Sequence, residues 1–265
     1  LGASRPARWL ITCDHATNRV PDCIGGGSLG IAPPDMERHI AYDIGAAGVV
    51  EGIARLLGVP AILTRFSRLL IDPNRGLDDP TLVMRLSDGA IIPGNRVLPA
   101  EERQKRVATW YEPYHKAVDA LIDEAREHHP HPALLSIHSF TEVWRGVIRP
   151  WQVGVLWDAD DRLAGPLIDR FVAEGDLLVG DNEPYTGKLQ GDCMWLHGTQ
   201  RGLPHAIIEV RQDLIRAADG QRAWAERIAR IMRTISGRRG LALNIGEEHA
   251  ATALGEFASG AFGPI

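Results

Sequence analysis

Four short polar clusters carry the residue types that hydrolytic chemistry uses: Asp14-His15-Ala-Thr-Asn18, Asp72-Pro-Asn74-Arg75, His138-Ser139-Phe140 and Glu209-Val-Arg211. Two imidazoles and a carboxylate can hold Zn²⁺ with one position open for water. A nearby Glu can take that water's proton, and an Asn-Arg pair can grip a substrate carboxylate. Taken singly, the clusters have plainer explanations: a strand-end His can be a hydrogen-bonded structural group, and Asn-Arg after Asp-Pro can be only a turn. Glu209 resists that treatment. A carboxylate that follows Ala-Ile-Ile in a buried strand must be paired, metal-adjacent or shifted in pKa.

The elements that must position these groups follow from hydrophobic spacing. Short apolar runs predict strands at 9–13, 61–64, 69–71, 133–137, 153–157, 177–180 and 206–210. Helical spacing predicts helices at 43–57, 101–128, 161–174 and 221–237; the first opens at Asp43 and stops at Gly58. Strands alternating with helices imply an α/β fold with a mixed, mostly parallel sheet and helices on both faces. An open α/β sheet binds its ligands beyond its strand ends, where the four clusters stand. No linker or repeat divides the chain, so residues 1–265 are expected to form one domain. The Ala- and Gly-rich tail from about Gly246 is expected to pack loosely on the surface.

Composition removes several function classes. The chain has 265 residues, a formal charge of -5 and 45% hydrophobic residues. That is enough for a sizeable core and too apolar for global disorder. A mildly acidic balance without a basic run argues against nucleic acid as a partner. Gly, Pro or a charge interrupts every apolar stretch before the ~18–20 residues a membrane span needs. Three cysteines, Cys13, Cys23 and Cys193, without CxxC spacing suggest a reducing compartment. The first residues, Leu1 to Pro6, lack a charged start and apolar core of the signal-peptide kind, so the expected location is cytoplasmic. Gly25 to Gly30 satisfies both GxGxxG and, from Gly26, GxSxG, but it lies about a dozen residues after the nearest strand and before Pro33-Pro34. A loop is the better reading.

Six segments together resemble the N-formylglutamate amidohydrolase family: Cys13-Asp-His-Ala-Thr-Asn-Arg-Val-Pro21, Ala41-Tyr-Asp-Ile-Gly45, Ser67-Arg-Leu-Leu-Ile-Asp-Pro-Asn-Arg75, Ile137-His-Ser-Phe140, Asn182-Glu-Pro-Tyr185 and Ile208-Glu-Val-Arg-Gln-Asp-Leu214. The resemblance runs in order from about residue 9 to 236. It implies the phosphorylase/hydrolase-like fold of zinc carboxypeptidases and aspartoacylase-like deacylases, with one Zn²⁺ per chain. The implied reaction is removal of an N-formyl or other N-acyl group from an acidic amino acid, most directly N-formyl-L-glutamate, as in the last step of one histidine-degradation route.

By the same resemblance His15 and His138 are the metal histidines, Glu209 the general base and Asn74-Arg75 the α-carboxylate clamp. The wider superfamily begins with His-x-x-Glu, where this chain has His15-Ala-Thr-Asn18, and Asn is a poor zinc ligand. Asp43 is the favoured third ligand, ahead of Asn18 and Asp14; its ordinary explanation is a helix N-cap. Arg68, Arg145 or Arg149 is expected to hold a side-chain carboxylate or the developing oxyanion, and Tyr185 to close over the substrate. Two alternatives stand beside this reading: an amidohydrolase for another N-acyl amino acid, and a catalytically silent binding protein.

Overall fold

The computed structural model describes residues 8–236. Six strands form one sheet: β1 (Trp9–Cys13), β2 (Ala61–Leu63), β3 (Ala133–Phe140), β4 (Val153–Leu156), β5 (Val179–Asp181) and β6 (His205–Arg211), in the order β2-β1-β3-β6-β4-β5. All neighbours pair in parallel except β6 with β4, so β4 and β5 run against the other four. The sheet is mixed and mostly parallel, as expected. The principal helices are α1 (Ala46–Leu57), α2 (Ala100–Arg106), α3 (Glu112–Arg126), α4 (Asp161–Ala173) and α5 (Ala218–Ser236). No helix among the described residues is long and apolar enough to cross a membrane. The tail from Gly246 and the segment Leu1 to Pro6 lie outside the described residues.

Strand alternation sorts the core into two layers. Trp9, Ile11 and Cys13 of β1, Ala133, Leu135 and Ile137 of β3, and Ala206, Ile208 and Val210 of β6 pack beneath α1, α4 and α5. Leu10, Leu134 and Ile207 face the other way, against α3 and Cys193, Met194 and Leu203. This second face changes character along the strands. Beyond Leu10, Leu134 and Ile207, the residues of matching parity are Thr12, Ser136, His138 and Glu209, all buried. The same face that closes the core at one edge therefore carries the polar groups at the other.

Two expectations need correction. Leu69 to Ile71 do not form a strand: all three are buried in a separate apolar cluster with Phe66, Leu82 and Tyr111. Their carbonyls are satisfied by side chains instead of a ladder, Leu69 by Asn95 Nδ2 and Leu70 by Arg106 Nη1. The helix expected over 101–128 contains a π-helical stretch, Val107–Tyr111, between α2 and α3. The 25–30 stretch is a loop, with Gly25, Gly26, Gly27 and Gly30 all at positive φ.

Candidate metal and catalytic centre

The chain leaves β1 towards β2 on one side and later builds β3 on the other, so strand order reverses between β1 and β3. The crevice beyond the carboxyl ends of the strands at such a reversal is where open α/β sheets bind ligands. His15 follows β1 there, and His138 stands beside Glu209 in the β3–β6 register. Asp43 arrives from the loop before α1. That helix opens at Ala46 with Gly45 as its cap, so the Asp43 side chain is not a cap. Gly45 is required here: it has φ of 82°, and a Cβ would lie 2.1 Å from the Ile215 carbonyl oxygen.

His15 Nδ1 is 3.3 Å and His138 Nδ1 2.8 Å from the same oxygen, Asp43 Oδ2. The far nitrogen of each ring meets a buried carboxylate, His15 Nε2 with Asp72 Oδ1 at 2.7 Å and His138 Nε2 with Asp14 Oδ2 at 3.0 Å. Those carboxylates are themselves held. Asp72 accepts from Arg68 Nε and Nη2 and from the Asn74 N–H, and Asp14 accepts from the Ser136 and Tyr114 hydroxyls. A carboxylate on the outer nitrogen fixes the proton there and turns the inner lone pair towards the site. Both Nδ1 atoms and Asp43 Oδ2 thus converge on one point, where each can offer an electron pair to a cation.

The same contacts shift the ionisable groups of the site. Burial opposes charge on Asp14, yet the hydrogen bond and charge of His138 hold its carboxyl well below the usual range. Asp43 is likewise lowered by His15 and His138 despite burial, and Asp72 by Arg68 and His15. Burial also works against a charged His138, but Asp14 and Asp43 push it well above the ordinary imidazole value. Glu209 moves the other way. Burial first, then the Asp43 charge, raises its carboxyl to about 7 against the pull of His138, His15 and Arg68. Its Oε2 is buried without a hydrogen-bond partner.

The remaining residues divide. Arg68 is occupied by the site's own carboxylates, with Nη1 3.6 Å from Asp43 Oδ1. Asn74 Oδ1 accepts from the Cys193 N–H, and Arg75 Nη1 donates to the Asn74 carbonyl 2.6 Å away. Asn18 lies apart, donating to the Met36 carbonyl and the Glu37 carboxylate. Arg145 is exposed in the turn between Val143–Trp144 and Val147–Ile148, with its guanidinium over the Trp144 ring. Arg149 is buried; it donates to the Tyr185 hydroxyl at 2.9 Å and stands 4.8 Å from that ring's centre. Tyr185 reaches it because the 182–185 segment crosses close to β4 and β5. A Cβ on Gly154 would lie 2.0 Å from the Glu183 carbonyl oxygen. Sequence reasoning named the Asp14 and Asp72 clusters but not the orienting task of either carboxylate. The signal was their placement beside a histidine or an arginine at a strand end.

The family model described as N-formylglutamate amidohydrolase matches residues 7–216. The chain belongs to this family. An N-formylglutamate deformylase of Pseudomonas putida is 28% identical over an alignment of 144 residues that covers 49% of this chain and 51% of the relative. The match thus spans about half of that curated relative. A solved gene product of Agrobacterium tumefaciens is 33% identical with a TM-score of 0.81, covering 89% of this chain and 93% of the other. The solved N-formylglutamate amidohydrolase of Ralstonia eutropha shares the fold at 18% identity, with a TM-score of 0.67 over 88% of this chain and 94% of that one.

Proposed function

We propose that this chain is a zinc-dependent deformylase of N-formylated acidic amino acids, acting on N-formyl-L-glutamate to give L-glutamate and formate. One observation carries the reading: His15 Nδ1, His138 Nδ1 and Asp43 Oδ2 converge while buried carboxylates hold the outer side of each ring. Three such atoms facing one point suit positive charge, and a two-nitrogen, one-oxygen donor set suits zinc with a position left open. Bound there, zinc would polarise the formyl carbonyl and acidify water.

The chain's own groups do the rest. Glu209, with a carboxyl near 7 and an unpartnered oxygen, takes a proton from the attacking water and passes it to the departing amine nitrogen. The water's oxygen ends in formate. Arg68, held against Asp72 and Asp43, keeps the ligand carboxylates in place. Arg149 is the arginine we assign to the substrate's side-chain carboxylate, with Tyr185 beside it; Asn74-Arg75 keep the α-carboxylate, and Arg145 is the outer candidate. Replacing Arg149 by Lys keeps charge but loses the planar fork. KM for N-formylglutamate is expected to rise about 10-fold or more, with little change for a formamide lacking carboxylates. Equal losses on both substrates would remove Arg149 from substrate binding.

The activity itself is tested by glutamate release from N-formylglutamate, with formate, and from N-acetylglutamate, with acetate, before and after chelation and zinc return. The expected result is release from the formyl substrate that chelation abolishes and zinc restores. Zinc-loaded protein without turnover of either substrate would leave the binding-protein alternative.

A further inference from the structure

A second group of metal-type ligands lies on the same face of the sheet. His115, on the sheet side of α3, Cys193 and His197 are all buried and place one donor atom each within 4.8 Å of one another. Cys193 and His197 stand four residues apart along one helical stretch that ends in the π-helical turn Trp195–Thr199, so both project from the same side. π-helical turns recur at functional sites. Asp14 separates the group from His15, Asp43 and His138: its carboxylate holds His138 and Ser136 on one side and Tyr114 on the other.

Burial lowers both imidazoles and keeps them neutral, and with both rings neutral hydrogen bonding does not satisfy the group. His197 Nδ1 is 3.1 Å from Asp119 Oδ1, which fixes the proton on Nδ1 and leaves Nε2 as a lone pair. That lone pair faces His115 Nδ1 at 2.8 Å, while His115 Nε2 is buried without a partner. If His115 carries its proton on Nδ1, a bare lone pair is stranded in the interior at Nε2. If it carries the proton on Nε2, two lone pairs meet head-on. A cation between the nitrogens turns the second arrangement from repulsive to bonding, and the Cys193 sulfur completes a two-nitrogen, one-sulfur set. Such a set selects zinc-class or softer cations over magnesium or calcium. Asp119 is half exposed at the surface and gives the group an outlet to solvent.

We propose that His115, Cys193 and His197 form a second metal site, separate from the centre at His15, Asp43 and His138, that pins α3 to the 193–199 stretch. Binding forms a metal–sulfur bond and releases the Cys193 thiol proton to solvent.

Cobalt(II) reads this site independently of the first, because only this one offers sulfur. Titrating metal-free protein with cobalt should fill about two sites per chain and give the near-ultraviolet thiolate-to-cobalt charge-transfer band. His138→Ala should keep the band, whereas Cys193→Ser and His197→Gln should lose it together with one bound cobalt. His197→Gln serves also if the serine variant does not fold, since it leaves every sulfur in place. The proposal is overturned if wild-type protein saturates at one cobalt without the band. It is equally overturned if the band survives in Cys193→Ser, which would assign it to Cys13 or Cys23.

Discussion

Glu209→Gln is expected to lower kcat for N-formylglutamate by ~10²–10⁴-fold, the span usual for losing a general base, while zinc content and KM stay close to wild type. The reasoning is local. Glu209 contacts none of the three converging donors through a hydrogen bond, and its Oε2 is buried without a partner, so an amide of the same shape disturbs no bond in the resting site. What it removes is the capacity to take and return a proton, which matters only as water attacks. A variant that kept wild-type turnover would strip Glu209 of its role even if the zinc centre survived. One that lost zinc would make it a ligand instead.

His138→Ala is expected to abolish both zinc binding and activity, and His15→Ala to do the same, because each removes one of the three proposed donors. Asp14→Asn and Asp72→Asn leave all donors in place and act on the carboxylates that orient the rings, so each is expected to weaken zinc by about 10–100-fold. Asp43→Asn should cost more than either, and Asn18→Ala nothing, since Asn18 is engaged with Met36 and Glu37. Equilibrium dialysis ranks the series. Full zinc in His15→Ala and His138→Ala would overturn the ligand set, and a larger loss in Asn18→Ala than in Asp43→Asn would overturn the choice of carboxylate.

The strands at 9–13 and 206–210 were legible in the sequence because a run of apolar residues ending in a charged one has few other uses. His15, His138 and Glu209 stood out as polar groups in or just beyond such strands, and the roles expected of them came from the family resemblance. Leu69 to Ile71 read as a strand because periodicity reports burial and not the source of hydrogen bonds; Asn95 and Arg106, 24 or more positions away in the chain, supply the donors. Arg149 could not be told from Arg145 in sequence. Their difference arises from the turn that leaves one exposed and the other stacked among Phe140, Trp144 and Tyr185. The His115, Cys193 and His197 group was invisible for a related reason: its members are brought together by α3 lying across the sheet, a contact spanning some eighty residues of chain.

The change from apolar to ionisable along one face of β1, β3 and β6 also guards the alignment of these strands. A slip of one residue turns every side chain of a strand to the opposite face. Shifting β6 by one place against β3 would drive Glu209 into the layer beneath α1, α4 and α5, where Ile53, Leu167 and Ile228 leave nothing to receive a carboxylate. Stranding a charge there costs several kcal/mol, a large part of the stability of an ordinary domain. Misaligned sheets are thus disfavoured during folding by these buried polar residues, and the native alignment sets Glu209 and His138 side by side.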